Sequence, residues 1–391
     1  MTFTISDRLK NVSGSAIREI FELLKSGDII SFAGGMPSAQ TLPAKEIDDI
    51  LNGIVSRYGA IECLQYESTF GKARLMQSLK PFLAEYKNLS AENENMIVLS
   101  GAQQCIDFAC KTFVNKGDVV LVQNPTYLSV LQIVATYEGK CVGVNSSEDG
   151  LDIKDLEEKM RKHKPKLLYA VPTFSNPSSG EYTLQNRKAI AELTARHGVM
   201  VLEDDPYSEI RFEGEKLPPL KSFDTAGNII YVASFSKIIS PSLRVAVAVC
   251  DPAIIAKFNI SKQSTDVCSS SLSQLIVSEF LQGDALKKHL ANIIPAYRKK
   301  RDKMAECIKQ HMPASFKCNA ARGGMFLWGE FPDGRDLMPD FRKLIDKKVA
   351  FLPGTHFFAG GEGKNTMRLN FSNASPEQIE QGVRVMGEHF R

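Results

Sequence analysis

The sequence contains no run approaching the roughly 18 consecutive apolar residues that a membrane span requires. It starts MTFTISDRLKNVSGS, without the apolar stretch or small-residue cleavage site of a secretory leader. The eight cysteines form no CxxC pair and no regular spacing. In a chain of this length they read as reduced, mostly buried thiols, which points to the cytoplasm. His163, His197, His289, His311, His356 and His389 are scattered without ligand spacing, so no metal set is expected. No Gly-x-Gly-x-x-Gly follows a strand, which leaves a dinucleotide site unsupported. A formal net charge of +3 is small for 391 residues and gives no basis for binding nucleic acid or anionic lipid. The basic run RKKRDK reads as a solvated helix face, and there are no internal repeats, low-complexity tracts or disordered linkers.

What is present is the pattern of a large α/β protein. At 391 residues, two domains or one large domain with an appendage are expected. Short apolar runs at 95–100, 118–123, 140–145, 166–171, 199–204, 228–234 and 244–250 predict strands. Helix-like stretches such as GAQQCIDFACKTFVNKG and LQNRKAIAELTARHG lie between them, the latter ending in a glycine stop. Strands alternating with helices of this size predict a mostly parallel sheet covered on both faces. After about residue 252 long helices take over, and GGMFLWGEFP, VAFLPG and TMRLNFS then predict a smaller α+β domain. The N-terminal part holds an amphipathic helix, SAIREIFELLKSG, and the Gly/Pro-rich loop ISFAGGMPSAQTLP. The expected division is an N-terminal arm at 1–45, a large domain at 46–275 and a small domain at 276–391.

In a parallel sheet the strand ends and following loops form the ligand crevice. SGAQQ, PTFSNPSSG, LEDDPY and SFSK all fall at such ends. In SFSKIISPSLR a single lysine, Lys237, follows Ser234 and Ser236 and precedes Arg244. A lysine amine forms a Schiff base with an aldehyde only when part of it is unprotonated, which desolvation or neighbouring cations achieve. Hydroxyls and a guanidinium suit a phosphate ester, and the helix start after SGAQQ adds backbone N–H groups as a second anion-binding element. Asp204 at a strand end, if buried, needs a cationic partner, which a protonated pyridine nitrogen would supply. Taken singly, Lys237 reads as a surface lysine, and Asp204 and Asn176 as turn residues beside proline. Their convergence at strand ends favours a site.

These motifs resemble the pyridoxal-phosphate enzymes of the aminotransferase fold (fold type I), in order and along essentially the whole chain. ISFAGGMPSAQTLP, LQYESTFG, SGAQQCIDF, NPTYLSV, PTFSNPSSG, LEDDPYSEI, SFSKIISPSLR, GGMFLW, LPGTHFF and MRLNFS carry the resemblance. The closest style is that of the aminoadipate and kynurenine aminotransferases. The resemblance implies that Lys237 forms the internal aldimine and then shuttles a proton. It implies that Asp204 pairs with the pyridinium nitrogen, that Asn176 and Tyr207 hold the ring oxygen, and that Tyr127 stacks on the ring. Ser234, Ser236, Arg244 and the backbone around Ala102 and Gln103 would bind the phosphate. Tyr66 would reach the phosphate of a neighbouring subunit, making a homodimer the active unit. Arg368 would grip the substrate α-carboxylate, with Gly35 close to the substrate. The implied reaction is ping-pong transfer of an amino group from an L-amino acid to a 2-oxo acid, 2-oxoglutarate being the expected acceptor.

Four positions depart from the family pattern: Ala102 for a serine or threonine, NPSSG for Asn-Pro-Thr-Gly, YESTFG for a more glycine-rich form, and Ile238 after the lysine. None removes a catalytic group. A lyase or decarboxylase on the same cofactor is the alternative; the aminotransferase-like order and the MRLNFS arginine favour transamination. A sensor half of a transcription regulator is disfavoured, because the chain starts directly with the substrate arm. Arg18 and Arg322 are candidates to meet a second substrate carboxylate, with Met36, Phe70, Phe357 and Phe358 as candidate apolar lining.

Overall fold

The computed structural model describes residues 3–10, 12 and 29–391. The predicted helix SAIREIFELLKSG and Arg18 lie outside the described residues. The chain builds strands β1 (Ile30–Ser31), β2 (Met96–Leu99), β3 (Val119–Asn124), β4 (Lys140–Ser147), β5 (Gly150–Leu151), β6 (Leu167–Ala170) and β7 (Met200–Asp205). After these come β8 (Ile229–Ser234), β9 (Ala246–Val249), β10 (Lys317–Cys318), β11 (Phe326–Glu330), β12 (Val349–Ala350), β13 (Leu352–Pro353) and β14 (Thr366–Asn370). All seven predicted central strands form, in one eight-stranded sheet of order β2-β9-β8-β7-β6-β3-β4-β5. Pairings β3–β4, β3–β6, β6–β7 and β7–β8 are parallel. β9 runs antiparallel to both β2 and β8. The reason is the connection: residues 235–245 contain one short 3-10 turn, Pro241–Leu243, and no crossover helix, so the chain returns alongside β8 instead of crossing the sheet.

Alternation along each strand separates the two faces. Val120, Val122, Leu167, Tyr169, Leu202 and Ile230 join the larger core, which includes the apolar face of helix Ala102–Phe113. Leu121, Leu168, Ala170, Val201 and Ile229 join a second core under helices Ile153–His163 and Leu184–His197. Helix Leu184–His197 is capped by the Thr183 hydroxyl and ends at Gly198, whose φ of 64° suits the left-handed stop. Asp204 therefore shares its face with Leu202 and Tyr169, while Glu203 and Asp205 point to the opposite side of the sheet.

The C-terminal portion forms a four-stranded antiparallel sheet, β10-β11-β14-β13. The N-terminal segment is stitched to it. β1 pairs in parallel with β12, and Phe32 accepts a bond from the Asn370 N–H at 2.8 Å. That places Gly35 beside Arg368 of β14, with the open side of Gly35 facing the Phe326 ring and the Arg368 guanidinium.

Candidate active site

The C-terminal ends of the parallel strands open on one cavity of about 430 Å³. β7 delivers Asp204 and, one turn later, Tyr207; β8 delivers Ser234 and then Ser236 and Lys237. Asn176 comes from the loop after β6, Tyr127 from the loop after β3, and Ala102 and Gln103 from the helix start after β2. Gly35 and Arg368 close the opposite wall. Twelve of the predicted cofactor and substrate residues thus line one space.

Lys237 donates to the Gly35 carbonyl at 2.8 Å. Burial, then the positive charges of Arg368 and Arg244, pull its amine down to about 8. A useful fraction is therefore unprotonated near neutral pH, which nucleophilic chemistry at an aldehyde needs. Asp204 is pushed the other way, up to about 7, chiefly by burial and further by Asp205, against the Tyr169 hydrogen bond. Its Oδ2 accepts from Tyr169 at 2.8 Å, but its buried Oδ1 has no protein partner. A buried carboxylate with one open oxygen is built to receive a cation or donor from the cavity.

Arg244, in the left-handed region at φ 53°, reaches Ser236 Oγ and the Pro241 carbonyl, both at 3.4 Å, and the Ser100 carbonyl at 3.2 Å. Gly101 starts helix Ala102–Phe113 with φ 90° and offers no capping side chain, so the first-turn N–H groups of Ala102 and Gln103 stay uncapped. A Cβ at Gly101 would overlap the Arg244 guanidinium, so the glycine is what lets the helix start and the arginine meet. Arg368, 3% exposed, is held between the Phe326 and Phe357 rings, 4.3 and 5.2 Å from their centroids. It donates to Asn176 Oδ1 at 2.8 Å and to the Ala33 carbonyl at 2.6 Å, leaving its buried Nε unpartnered. Burial lowers it to about 10.

Not every candidate converges. Tyr66 is 79% exposed and does not line this cavity. Arg322 is exposed, with its guanidinium over Gly214, and Met36 and Phe70 also lie outside the lining. Phe357 serves as a wall for Arg368. Sequence reasoning passed over Tyr169, which orients Asp204, and Leu128, Ser129, Gln132 and Leu352, which line the cavity. The available signal for Tyr169 was its position: a hydroxyl inside the otherwise apolar strand KLLYAV.

An amine kept partly unprotonated beside a cradle for an anion suits an aldehyde that carries a phosphate, and that chemistry defines a lysine-linked pyridoxal-phosphate enzyme. Comparison with known proteins narrows the class. The chain belongs to the class I and II aminotransferases, whose family profile matches residues 47–386. It is 35% identical over 391 residues to aromatic-amino-acid aminotransferase 1 of Thermococcus litoralis, covering 99% of this chain and 94% of that protein. It is 34% identical over 385 residues to 2-aminoadipate transaminase of Thermus thermophilus, covering 97% and 94%. The crystal structure of Pyrococcus horikoshii kynurenine aminotransferase superposes with a TM-score of 0.94 at 36% identity, covering 99% of this chain and 96% of that one. The protein is a pyridoxal-phosphate-dependent enzyme of fold type I that transfers amino groups. The cavity fits that cofactor: it offers one amine for the aldehyde, an open carboxylate oxygen for the ring nitrogen, and arginine, hydroxyl and backbone donors for the phosphate.

Proposed function

We propose that this aminotransferase takes amino groups from aromatic and other apolar L-amino acids and gives them to a 2-oxo acid, 2-oxoglutarate foremost, with the following division of roles. Bound pyridoxal phosphate supplies the aldehyde and the electron sink. Lys237 holds the aldehyde and, once released from it, takes and returns the proton at the substrate α-carbon. Asp204 keeps the ring nitrogen protonated, with Tyr169 steadying its second oxygen. Asn176 and Tyr207 donate to the ring oxygen, and Tyr127 covers the ring face. Ser234, Ser236, Arg244 and the Ala102 and Gln103 N–H groups bind the phosphate. Arg368 binds the substrate α-carboxylate, with Gly35 leaving room beside it.

The observation that carries the reading is Arg368: a buried guanidinium clamped between two phenyl rings, with an open Nε, in the same cavity as the lysine amine. The donor preference draws support from the lining. Among the described residues its cations are Lys237, Arg244 and Arg368, each already assigned, while Ile106, Leu128, Val171 and Leu352 are apolar. An acidic donor such as 2-aminoadipate is the second reading, favoured by the Thermus relative; it would call on Arg18.

The active unit in this reading is a homodimer with Tyr66 turned toward the neighbour's cavity. Exposed Val55, Ile61 and Leu64 in the second half of helix Ala44–Leu64, and Tyr66 just beyond it, support a subunit contact there. Free cysteines throughout the described residues support the cytoplasm. The parallel pairing of β1 with β12 supports grouping residues 1–45 with a small domain at 276–391, apart from a large domain at 46–275. The test is a half-reaction: mix the cofactor-loaded enzyme with single amino acids and follow the cofactor spectrum. Conversion to the aminated cofactor by phenylalanine or tyrosine, reversed by 2-oxoglutarate, is expected. Faster conversion by 2-aminoadipate, lost in Arg18→Ala, would replace the aromatic reading with the acidic one.

A further inference from the structure

Behind the helix start that meets the cavity lies a charge pair, its lysine buried and its aspartate part-exposed, to which the site gives no task. Lys262 is fully buried near the end of helix Pro252–Gln263. Its Nζ donates to Asp266 Oδ1 and Oδ2 at 2.9 and 3.0 Å, to Ser269 Oγ at 3.0 Å and to Gln104 Oε1 at 3.1 Å. Asp266 Oδ2 accepts in turn from Ser100 Oγ at 2.7 Å and Gln104 Nε2 at 2.9 Å. Gln104 Oε1 also accepts from the Ser100 backbone N–H at 2.8 Å. The Ser100 carbonyl completes the chain by accepting from Arg244 at 3.2 Å.

Burying a lysine is unfavourable, and a buried ion pair contributes little net stability compared with apolar packing. Its best-attested use is to specify one geometry. Here the geometry specified is that of Ser100 and Gln104, the residues flanking Gly101, Ala102 and Gln103. Ala102 has no hydroxyl, so its contribution to an anion is a main-chain N–H. Such a donor cannot rotate about a side-chain bond to find its acceptor, and the direction of the chain decides whether it points at the ligand. Burial pushes the Asp266 carboxyl up, but the Gln104, Ser100 and Lys262 hydrogen bonds outweigh it and hold it below the ordinary carboxylate range.

We propose that Lys262 is a positioning residue for the cofactor phosphate: through Asp266 and Gln104 it fixes Ser100, and so aims the Ala102 and Gln103 N–H groups and Arg244 at one point. The inference rests on the reading that Arg244 and this helix start form the phosphate end of the site.

The test is titration of the cofactor-free protein with pyridoxal phosphate and, separately, with pyridoxal, which lacks the phosphate, followed by absorbance. Lys262→Met is expected to weaken pyridoxal phosphate by about tenfold, near 1.4 kcal/mol, and to leave pyridoxal within about twofold of the parent. Competition by inorganic phosphate weakens in step. Ser100→Ala, which deletes only one hydroxyl of the chain, moves the same ratio in the same direction and serves if Lys262→Met does not fold. Equal weakening of both aldehydes, or of neither, overturns the proposal and leaves Lys262 a packing residue. Arg244→Gln separates the two levels. If it too leaves the phosphate-to-no-phosphate ratio unchanged, the phosphate end is elsewhere; if it abolishes the ratio while Lys262→Met and Ser100→Ala do not, only the positioning role falls.

Discussion

Two side chains in the cavity are displaced in opposite directions, and each displacement has a measurable consequence. The Lys237 amine, lowered to about 8 by burial and by Arg368 and Arg244, gains nucleophilicity as pH rises through that value. Stopped-flow capture of pyridoxal phosphate by the cofactor-free protein should therefore accelerate with a midpoint near pH 8 and level off above it. Arg368→Gln removes one of the depressing charges, so the midpoint should move upward. Asp204 has the opposite linkage. Its folded-state value of about 7 lies above the ordinary aspartate value of 3.8, so the folded cofactor-free protein binds the extra proton. That stability is fully present below about pH 4 and is lost as pH rises through about 7. Asp204→Asn removes this slope. Cofactor-free Asp204→Asn should melt higher than the parent at pH 8, while its transaminase activity falls at least about a hundredfold. A lower melting point at pH 8 would contradict the assigned burial effect. Glu203, also raised to about 7, contributes a similar slope in both proteins and cancels in the comparison.

At the level of elements, the turn at the end of β7 is held from behind the sheet. Lys87 Nζ, only 4% exposed at its side chain, meets Asp205 Oδ2 at 3.0 Å and Glu209 Oε1 at 3.1 Å, and donates to Ser208 Oγ at 2.7 Å. Burial pushes Asp205 up, but Lys87 and the Tyr231 and Ser208 hydroxyls outweigh it and bring it to about 2. Lys87→Met strands those carboxylates, and denaturant unfolding should show a loss of about 3 kcal/mol. Alternation explains which of these residues could be read from sequence. A charged residue ending an apolar strand, as Asp204 does, stands out because strand ends face a crevice. Asp205 beside it reads as turn chemistry, since nothing local reveals that Lys87 crosses to meet it. Lys262 is hidden more completely, as one of two lysines in a helix, its burial depending on Gln104 and Ser269 from outside that helix. The reversed direction of β9 was equally invisible in its apolar run RVAVAVC, which suits a buried strand of either direction; only the missing crossover helix marks it. Long, periodic elements such as Leu184–His197, with its glycine stop, needed no such distant information.

At the scale of the whole molecule, the assignment of Tyr66 makes a prediction that one chain alone cannot satisfy. Lys237→Ala subunits and Tyr66→Phe subunits are each impaired alone. Mixed and allowed to exchange, they form hybrids in which an intact Lys237 cavity faces an intact Tyr66, and activity should recover. No recovery would mean that Tyr66 does not act across subunits. Most of the fold was open to sequence reasoning because its long-range order repeats a local rule, strand then helix then strand. The convergence of Arg368 and Gly35 with Lys237 was not, because it depends on β1 pairing with β12 and on β14 of a separate sheet bringing Arg368 to the same cavity. The hairpin-like return between β8 and β9 has one last consequence. Residues 235–245 carry Lys237 and Arg244 between two strands that are hydrogen-bonded to each other in fixed register. Adding or removing a single residue there would slip β9 by one position and turn its inward side chains outward. The segment is thus a gauge of set length: its residues can be exchanged one for one, but insertions and deletions have to fall elsewhere in the chain.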